Sequence, residues 1–138
     1  MKRTISFCLL LLALFSCRQK DKENKYAGLL ALPPYKTYTD SIRNEPKKAS
    51  LYFSRGTMLS AASQFEAALA DFEQAWQLEQ NDVYGWYYGS TLINLQRYDS
   101  AITVLQKAGK QFPASLSIKE RLAYTLNLKK KPTEALAV

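Results

Sequence analysis

The sequence predicts an all-α protein: an array of antiparallel helix pairs, an α-solenoid with two full repeats and a partial third. Three observations predict it. Five pairs of positions recur at one constant interval: Gly56 with Gly89, Phe65 with Tyr98, Ala68 with Ala101, Phe72 with Leu105, and Ala75 with Ala108. An interval of that size signals stacked supersecondary units. Within each unit apolar residues fall at steps of three and four, as on one face of a helix. Finally, 138 residues with 47% hydrophobic and 22% charged side chains suit one modest packed domain or a short array, and exclude a large two-domain cofactor enzyme.

The first element is an address. Lys2 and Arg3 precede an apolar run from Ile5 to Phe15, shorter than the roughly 20 residues a membrane-spanning helix requires. A basic start, a short apolar centre and small residues at its end predict a secretory signal over residues 1–16. Leu14-Phe15-Ser16-Cys17 resembles the lipobox of bacterial lipoproteins, which implies that Cys17 carries lipid and anchors the chain to a membrane. Cleavage before Cys17 removes Cys8 and leaves no pair for a disulfide. It also leaves 17 basic against 12 acidic residues, a net +5, for the exported chain. Export disfavours nucleic acid and leaves anionic headgroups, envelope polyanions or acidic proteins as the natural counterparts.

Residues 17–47 read as a lipidated tether and N-terminal brace. Arg18 to Lys25 has no apolar residue, as a solvated spacer requires. In lipoproteins of this kind the residue after the lipidated Cys influences sorting, and Arg18 there favours the outer membrane. Tyr26 to Pro34 is locally apolar and suits a brace on the first helix, with Pro33-Pro34 disfavouring helix through that point. A short helix is predicted from Tyr38 to Glu45, ending before Pro46.

Residues 48–138 carry the array. Gly56 and Gly89 sit inside a first helix, where glycine costs roughly 1 kcal/mol relative to alanine, so close helix approach is expected there. Ala68 and Ala101 on the second helix allow that approach while Phe72 and Leu105 fill the space beside them. Ser63-Gln64-Phe65-Glu66 has the form of a capping box and predicts a helix start near residue 64. Phe65, Ala68, Leu69, Phe72, Ala75 and Trp76 then form one helical face. The next unit repeats it with Tyr98, Ala101, Ile102, Leu105 and Ala108, and Pro113 ends that helix. One further period beyond the second set, lengthened by a single residue, reaches Ala123, Pro132 and Ala135 of a third unit.

These residues together resemble the tetratricopeptide repeat, a helix-turn-helix family with a period of about 34 residues. The first unit matches with Tyr52, Gly56, Leu59, Phe65, Ala68, Phe72 and Ala75, although Gln80 stands where proline is usual. The second matches with Gly89, Leu92, Tyr98, Ala101, Leu105, Ala108 and Pro113, with Trp86 one place from the usual aromatic position. The third opens with Leu122, Ala123 and Leu126, and Tyr38, Ser41 and Pro46 resemble the tail of a degenerate preceding unit. The resemblance implies a concave peptide-binding surface on the first helices. Mapped residue by residue, it comprises Phe53 and Thr57, then Trp86, Tyr87, Ser90 and Asn94, then Glu120, Tyr124 and Asn127. Trp86 and Tyr87 are the expected energetic centre, since aromatic anchors dominate interfaces; Trp86 as inter-repeat core is the competing reading. Family members that clamp a chaperone's terminal carboxylate carry Lys and Asn on the first such helix. This chain has Phe53 and Thr57 there, so a different ligand chemistry is expected.

The rest of the chemistry is sparse. With no histidine there is no His-based triad or imidazole ligand. Asp71 and Glu73, two apart on a helix, do not form a carboxylate pair. Lys129-Lys130-Lys131 reads as a solvated turn with helix-end lysines. No phosphate loop, metal-ligand cluster or nucleophile elbow is present, so no cofactor and no enzymatic activity are expected. The expected function is a lipid-anchored adaptor of the bacterial envelope that binds a peptide or helix of a protein partner. The alternative is a structural accessory lipoprotein of a secretion, motility or cell-wall assembly, working by end-to-end stacking.

Overall fold

The computed structural model describes residues 25–130. The signal segment, Cys8, Cys17, Lys131, Pro132 and Ala135 lie outside the described residues. Among the described residues there are seven helices and no strand: α1 (Ala27–Leu30), α2 (Tyr35–Asn44), α3 (Ala49–Ala61), α4 (Phe65–Leu78), α5 (Asp82–Asn94), α6 (Tyr98–Gln111) and α7 (Leu116–Lys130). Each packs on its sequence neighbour, and α5 also touches α7. Turns this short force antiparallel pairs, so α3/α4 and α5/α6 are the two full units, flanked by α2 and α7.

Helix α2 begins at Tyr35, three residues before the sequence-based start. Pro34 takes the N-cap place and Tyr35 is buried with Leu30, so apolar burial draws the helix back to the proline. It ends at Asn44, before Pro46 as expected.

The turn inside each unit differs from the capping-box reading. Ser63 has φ 58°, the left-handed region, and the N-cap of α4 is Gln64, with no side-chain cap. Gln64 N donates to Leu59 O at 2.8 Å and Ser63 N to Ser60 O at 2.9 Å, so these residues close the end of α3. The bonding pattern is a Schellman motif. In the next unit Gln96 also has φ 58°, with Arg97 N on Leu92 O and Gln96 N on Ile93 O, both at 2.8 Å. Only three residues separate Ala61 from Phe65, and the need to terminate the first helix claims Ser63. The box's acid, Glu66, pairs instead with Arg97 of the following unit at 2.8 Å.

Close approach is where the glycines placed it. A Cβ on Gly56 would lie 2.9 Å from the Phe72 ring, and one on Gly89 would lie 2.6 Å from Leu105 Cγ and Cδ2. Phe72, Leu105, Ala68 and Ala101 are fully buried beside them. Gly85 is a third such contact: its Cβ would meet Ala108 Cβ at 2.9 Å and the Trp76 ring at 3.0 Å. Gly85 is the repeat counterpart of Tyr52, and Trp76 of the first unit occupies the space that a second tyrosine would need.

Between units the linker lengthens by one residue, from Glu79–Asn81 before α5 to Phe112–Ser115 before α7. The period therefore grows by one. Thr91 and Thr125 show it: both are buried, and each hydroxyl donates to the carbonyl four residues back, Tyr87 O at 2.8 Å and Arg121 O at 2.6 Å.

Candidate functional site: the first-helix face and the polar clasp beside it

Helices α3, α5 and α7 form one layer, and an aromatic row crosses it. Phe53 on α3 lies 4.8 Å from Tyr84 and 5.0 Å edge-on from Tyr87, both on α5. Tyr87 contacts Phe72 at 5.3 Å and Trp86 at 5.0 Å. Rings in these tilted and edge-to-face arrangements gain more than their area burial alone. Trp86 is half-buried against the core on one side, and the Arg121 guanidinium of α7 covers its ring at 4.5 Å on the other. Tyr124 lies 6.0 Å from the same guanidinium and is 51% exposed.

The structure thus brings Phe53, Trp86, Tyr87 and Tyr124 into one continuous surface, with Arg121 bridging the last two units. Tyr87 is seated between units, against Phe53 and Phe72, and Trp86 is both inter-unit packing and surface. Thr57 is half-buried, its hydroxyl donating to Ser54 O at 2.8 Å. Ser90 Oγ is buried without a hydrogen-bond partner among the described residues. Asn94, Glu120 and Asn127 are exposed; Asn94 closes α5 without capping a following helix. The cap before α5 is Asn81, whose side chain accepts from Tyr84 N at 2.8 Å.

Two groups escaped the sequence reading. The first is Arg121. The second is a buried ion pair: Arg55 and Asp71 are 3% and 4% exposed, and the guanidinium donates from Nε to Oδ2 at 2.8 Å and from Nη2 to Oδ1 at 2.7 Å. Its Nη1 donates to Thr39 Oγ1 at 3.0 Å, and that hydroxyl lies within hydrogen-bond distance of the carbonyls of Leu30 and Tyr35. One network therefore ties α2 to α3 and α4. The signal was present: Arg55 falls between Tyr52 and Leu59, and Asp71 between Ala68 and Ala75, each on the apolar stripe of its helix. A charge on a buried stripe requires a partner.

In the next unit the corresponding positions are Tyr88 and Val104. Burial, followed by the nearby Glu73 carboxylate and its hydrogen bond, pushes the Tyr88 hydroxyl up to about 12. Glu73 and Asp71 therefore serve different neighbours, as their two-residue spacing predicted.

Exposed pairs join successive units, Glu66 with Arg97 and Asp99 with Lys129, while the Gln111 amide donates to Gln80. Lys129 and Lys130 lie in the last turn of α7. Among the described residues no cluster of His, Cys, Asp and Glu could hold a metal ion, and no helix is long and apolar enough to cross a membrane.

The family model for the tetratricopeptide repeat matches residues 59–119. That span runs from the end of α3 through α4, α5 and α6 into α7, and includes both Schellman turns and the Gly89 contact. The described chain is an all-helical, tetratricopeptide-like repeat array.

Proposed function

We propose that this chain is a lipid-anchored tetratricopeptide adaptor of the bacterial envelope, held at the outer membrane, which binds a peptide or helix of a partner protein on the face of α3, α5 and α7. The observation that carries this reading is the aromatic row from Phe53 through Tyr87 and Trp86 to Tyr124. Rigid rings on a repeat scaffold contribute contact area with little conformational entropy to lose, as an interaction surface requires. The anchor rests on Lys2, Arg3, the apolar run and Cys17, and it fits an exported domain that keeps no cysteine pair. The role is presentation of a pre-organised surface rather than catalysis.

A specific observation favours a second reading. Leu116 is 69% and Leu126 39% exposed, with Ala123 open between them on α7. That face suits end-to-end stacking in a larger assembly, the structural accessory role.

One experiment separates them. The full chain and a Trp86→Ala, Tyr124→Ala variant are used for affinity capture from envelope membranes, and a Leu116→Lys, Leu126→Lys variant is run beside them. Loss of the captured protein with the first variant supports the surface, whereas loss only with the second supports stacking. The intact mass of the purified chain tests the anchor: a lipid-modified chain beginning at Cys17 is expected, and an unmodified Met1 overturns it.

A further inference from the structure

The segment that opens the array has two unlike sides. Its inner side is fixed: Leu30 and Tyr35 are buried with Leu59 and Phe72, and Leu30 O accepts from Thr39 Oγ1 at 3.0 Å. Its outer side is apolar. From residue 27 to residue 34 the chain reads Ala-Gly-Leu-Leu-Ala-Leu-Pro-Pro without one polar side chain, and six of those eight residues are exposed, Leu32 to 56%. A folded monomer rarely leaves a continuous apolar stretch in water unless something covers it.

Basic residues border the patch. Lys25 lies 5.2 Å over the Tyr26 ring at its start, and among the described residues it makes no ion pair. At the other border Lys36 N donates to Leu32 O at 3.0 Å, which sets Lys36 one helical turn beyond Leu32. Lys36 and Arg43 share the single carboxylate of Asp40, so the outward stripe of α2 keeps a positive charge. Helix α7, at the opposite end of the array, is basic as well, with Lys119, Arg121, Lys129 and Lys130 against Glu120. Charge therefore opposes end-to-end contact between two copies and favours an anionic surface.

The anchor brings such a surface within reach. Cys17 stands ten residues before Ala27. A chain of that length spans about 35 Å when fully extended and averages about 17 Å when flexible. A short link of this kind raises the effective concentration of the two ends to the order of millimolar, so a contact too weak to hold a free protein becomes populated.

We infer that residues 27–34 form a second membrane contact, in which Ala27, Ala31 and Leu32 enter the interface of an anionic phospholipid leaflet while Lys25 and Lys36 lie over its headgroups. The basic side chains reach the headgroups along their own apolar stems, and the apolar side chains leave water. This rests on the proposed lipid anchor and adds an orientation to it. The array stands on its α1/α2 end, with α7 farthest from the lipid.

The test places the lipid-modified, 15N-labelled full chain in nanodiscs of equal parts phosphatidylglycerol and phosphatidylcholine, and in discs of phosphatidylcholine alone, each doped with a gadolinium-chelate lipid. The amides of Ala27, Ala31 and Leu32 should broaden strongly and those of α7 hardly at all, with the larger effect in the anionic discs. Lys25→Gln should lower the contact equilibrium about fivefold, and Leu32→Asp should abolish the contact while the resonances of α3 to α6 stay in place. Added sodium chloride should reduce the broadening in the anionic discs, a readout on the unmodified chain that needs no variant to fold. Uniform broadening from α1 to α7, or none at α1, overturns the contact and leaves the anchor standing. Equal broadening in the two kinds of disc overturns it too, because the basic border would then play no part. Shifts of the same amides that grow with the number of chains per disc assign the patch to a second copy and likewise overturn it. A chain whose intact mass shows no lipid overturns the anchor, and this contact with it.

Discussion

The two complete units, α3/α4 and α5/α6, share a backbone plan but meet the same packing problem with opposite chemistry. Where the first buries Arg55 against Asp71 and fastens Arg55 to Thr39 on α2, the second has Tyr88 and Val104. The first unit has a preceding helix with a polar group to offer, and the ion pair ties that helix in. The second has another unit before it, and Tyr88 reaches back to Glu73 instead. A repeat scaffold thus tolerates a charge pair on its buried stripe where an end must be closed, and reverts to apolar and aromatic filling inside the array.

The largest effect should come from breaking that pair on one side. Asp71→Ala leaves a buried guanidinium uncompensated and is expected to cost about 3–5 kcal/mol in denaturant unfolding. The double variant Arg55→Tyr, Asp71→Val transplants the second unit's solution and should recover most of that loss. If it is no better than the single variant, the two slots are not interchangeable and the comparison breaks.

Next come the glycines. Gly89→Ala should destabilise by roughly 1–3 kcal/mol, because Leu105 branches at the atom the new methyl would strike. Gly56→Ala should cost less, since its closest neighbour is the edge of the Phe72 ring at 2.9 Å rather than a branch point at 2.6 Å. The reverse order in thermal unfolding would contradict the packing account.

The turns offer a smaller gain. Ser63 and Gln96 hold φ 58° without being glycine. Ser63→Gly and Gln96→Gly should each raise stability by up to about 1 kcal/mol, because a side chain in the left-handed region costs energy that glycine avoids.

The smallest is a pH effect confined to the second unit. Folded Tyr88 keeps its proton to about 12, whereas an unfolded tyrosine loses it near 10. Between those values the unfolded chain binds fewer protons, so this contribution is complete below pH 10 and is lost as pH rises toward 12. Tyr88→Phe should flatten the decline; an unchanged alkaline profile would mean that Tyr88 does not carry it.

Much of this was legible in the residues. The constant spacing of the two units, the small residues opposite Phe72 and Leu105, and the extra residue before α7 all follow from helix periodicity and linker length, which are local properties. Three things were not. Ser63 to Glu66 satisfies the pattern of a helix start, but the same residues must first end α3, and two caps cannot share three residues. Gly85 depends on Trp76, a side chain from another unit. Arg55 announces its need for a partner by its place on an apolar stripe, but only the three-dimensional neighbours show that Asp71 and Thr39 supply its acceptors while Arg121 has aromatic rings against it. The aromatic face itself was implied by the resemblance to the tetratricopeptide repeat, while the division of Tyr87 toward the core and Tyr124 toward solvent needed the neighbouring helices.

The most direct test of the central claim, that the partner sits on the face of α3, α5 and α7, is site-specific photo-crosslinking in envelope membranes. A photoreactive residue is placed at Tyr124 in one protein and at the exposed Gln106 of α6 in another. The account predicts a discrete crosslinked partner from position 124 and none from position 106. The same partner captured from position 106 and not from 124 would contradict it.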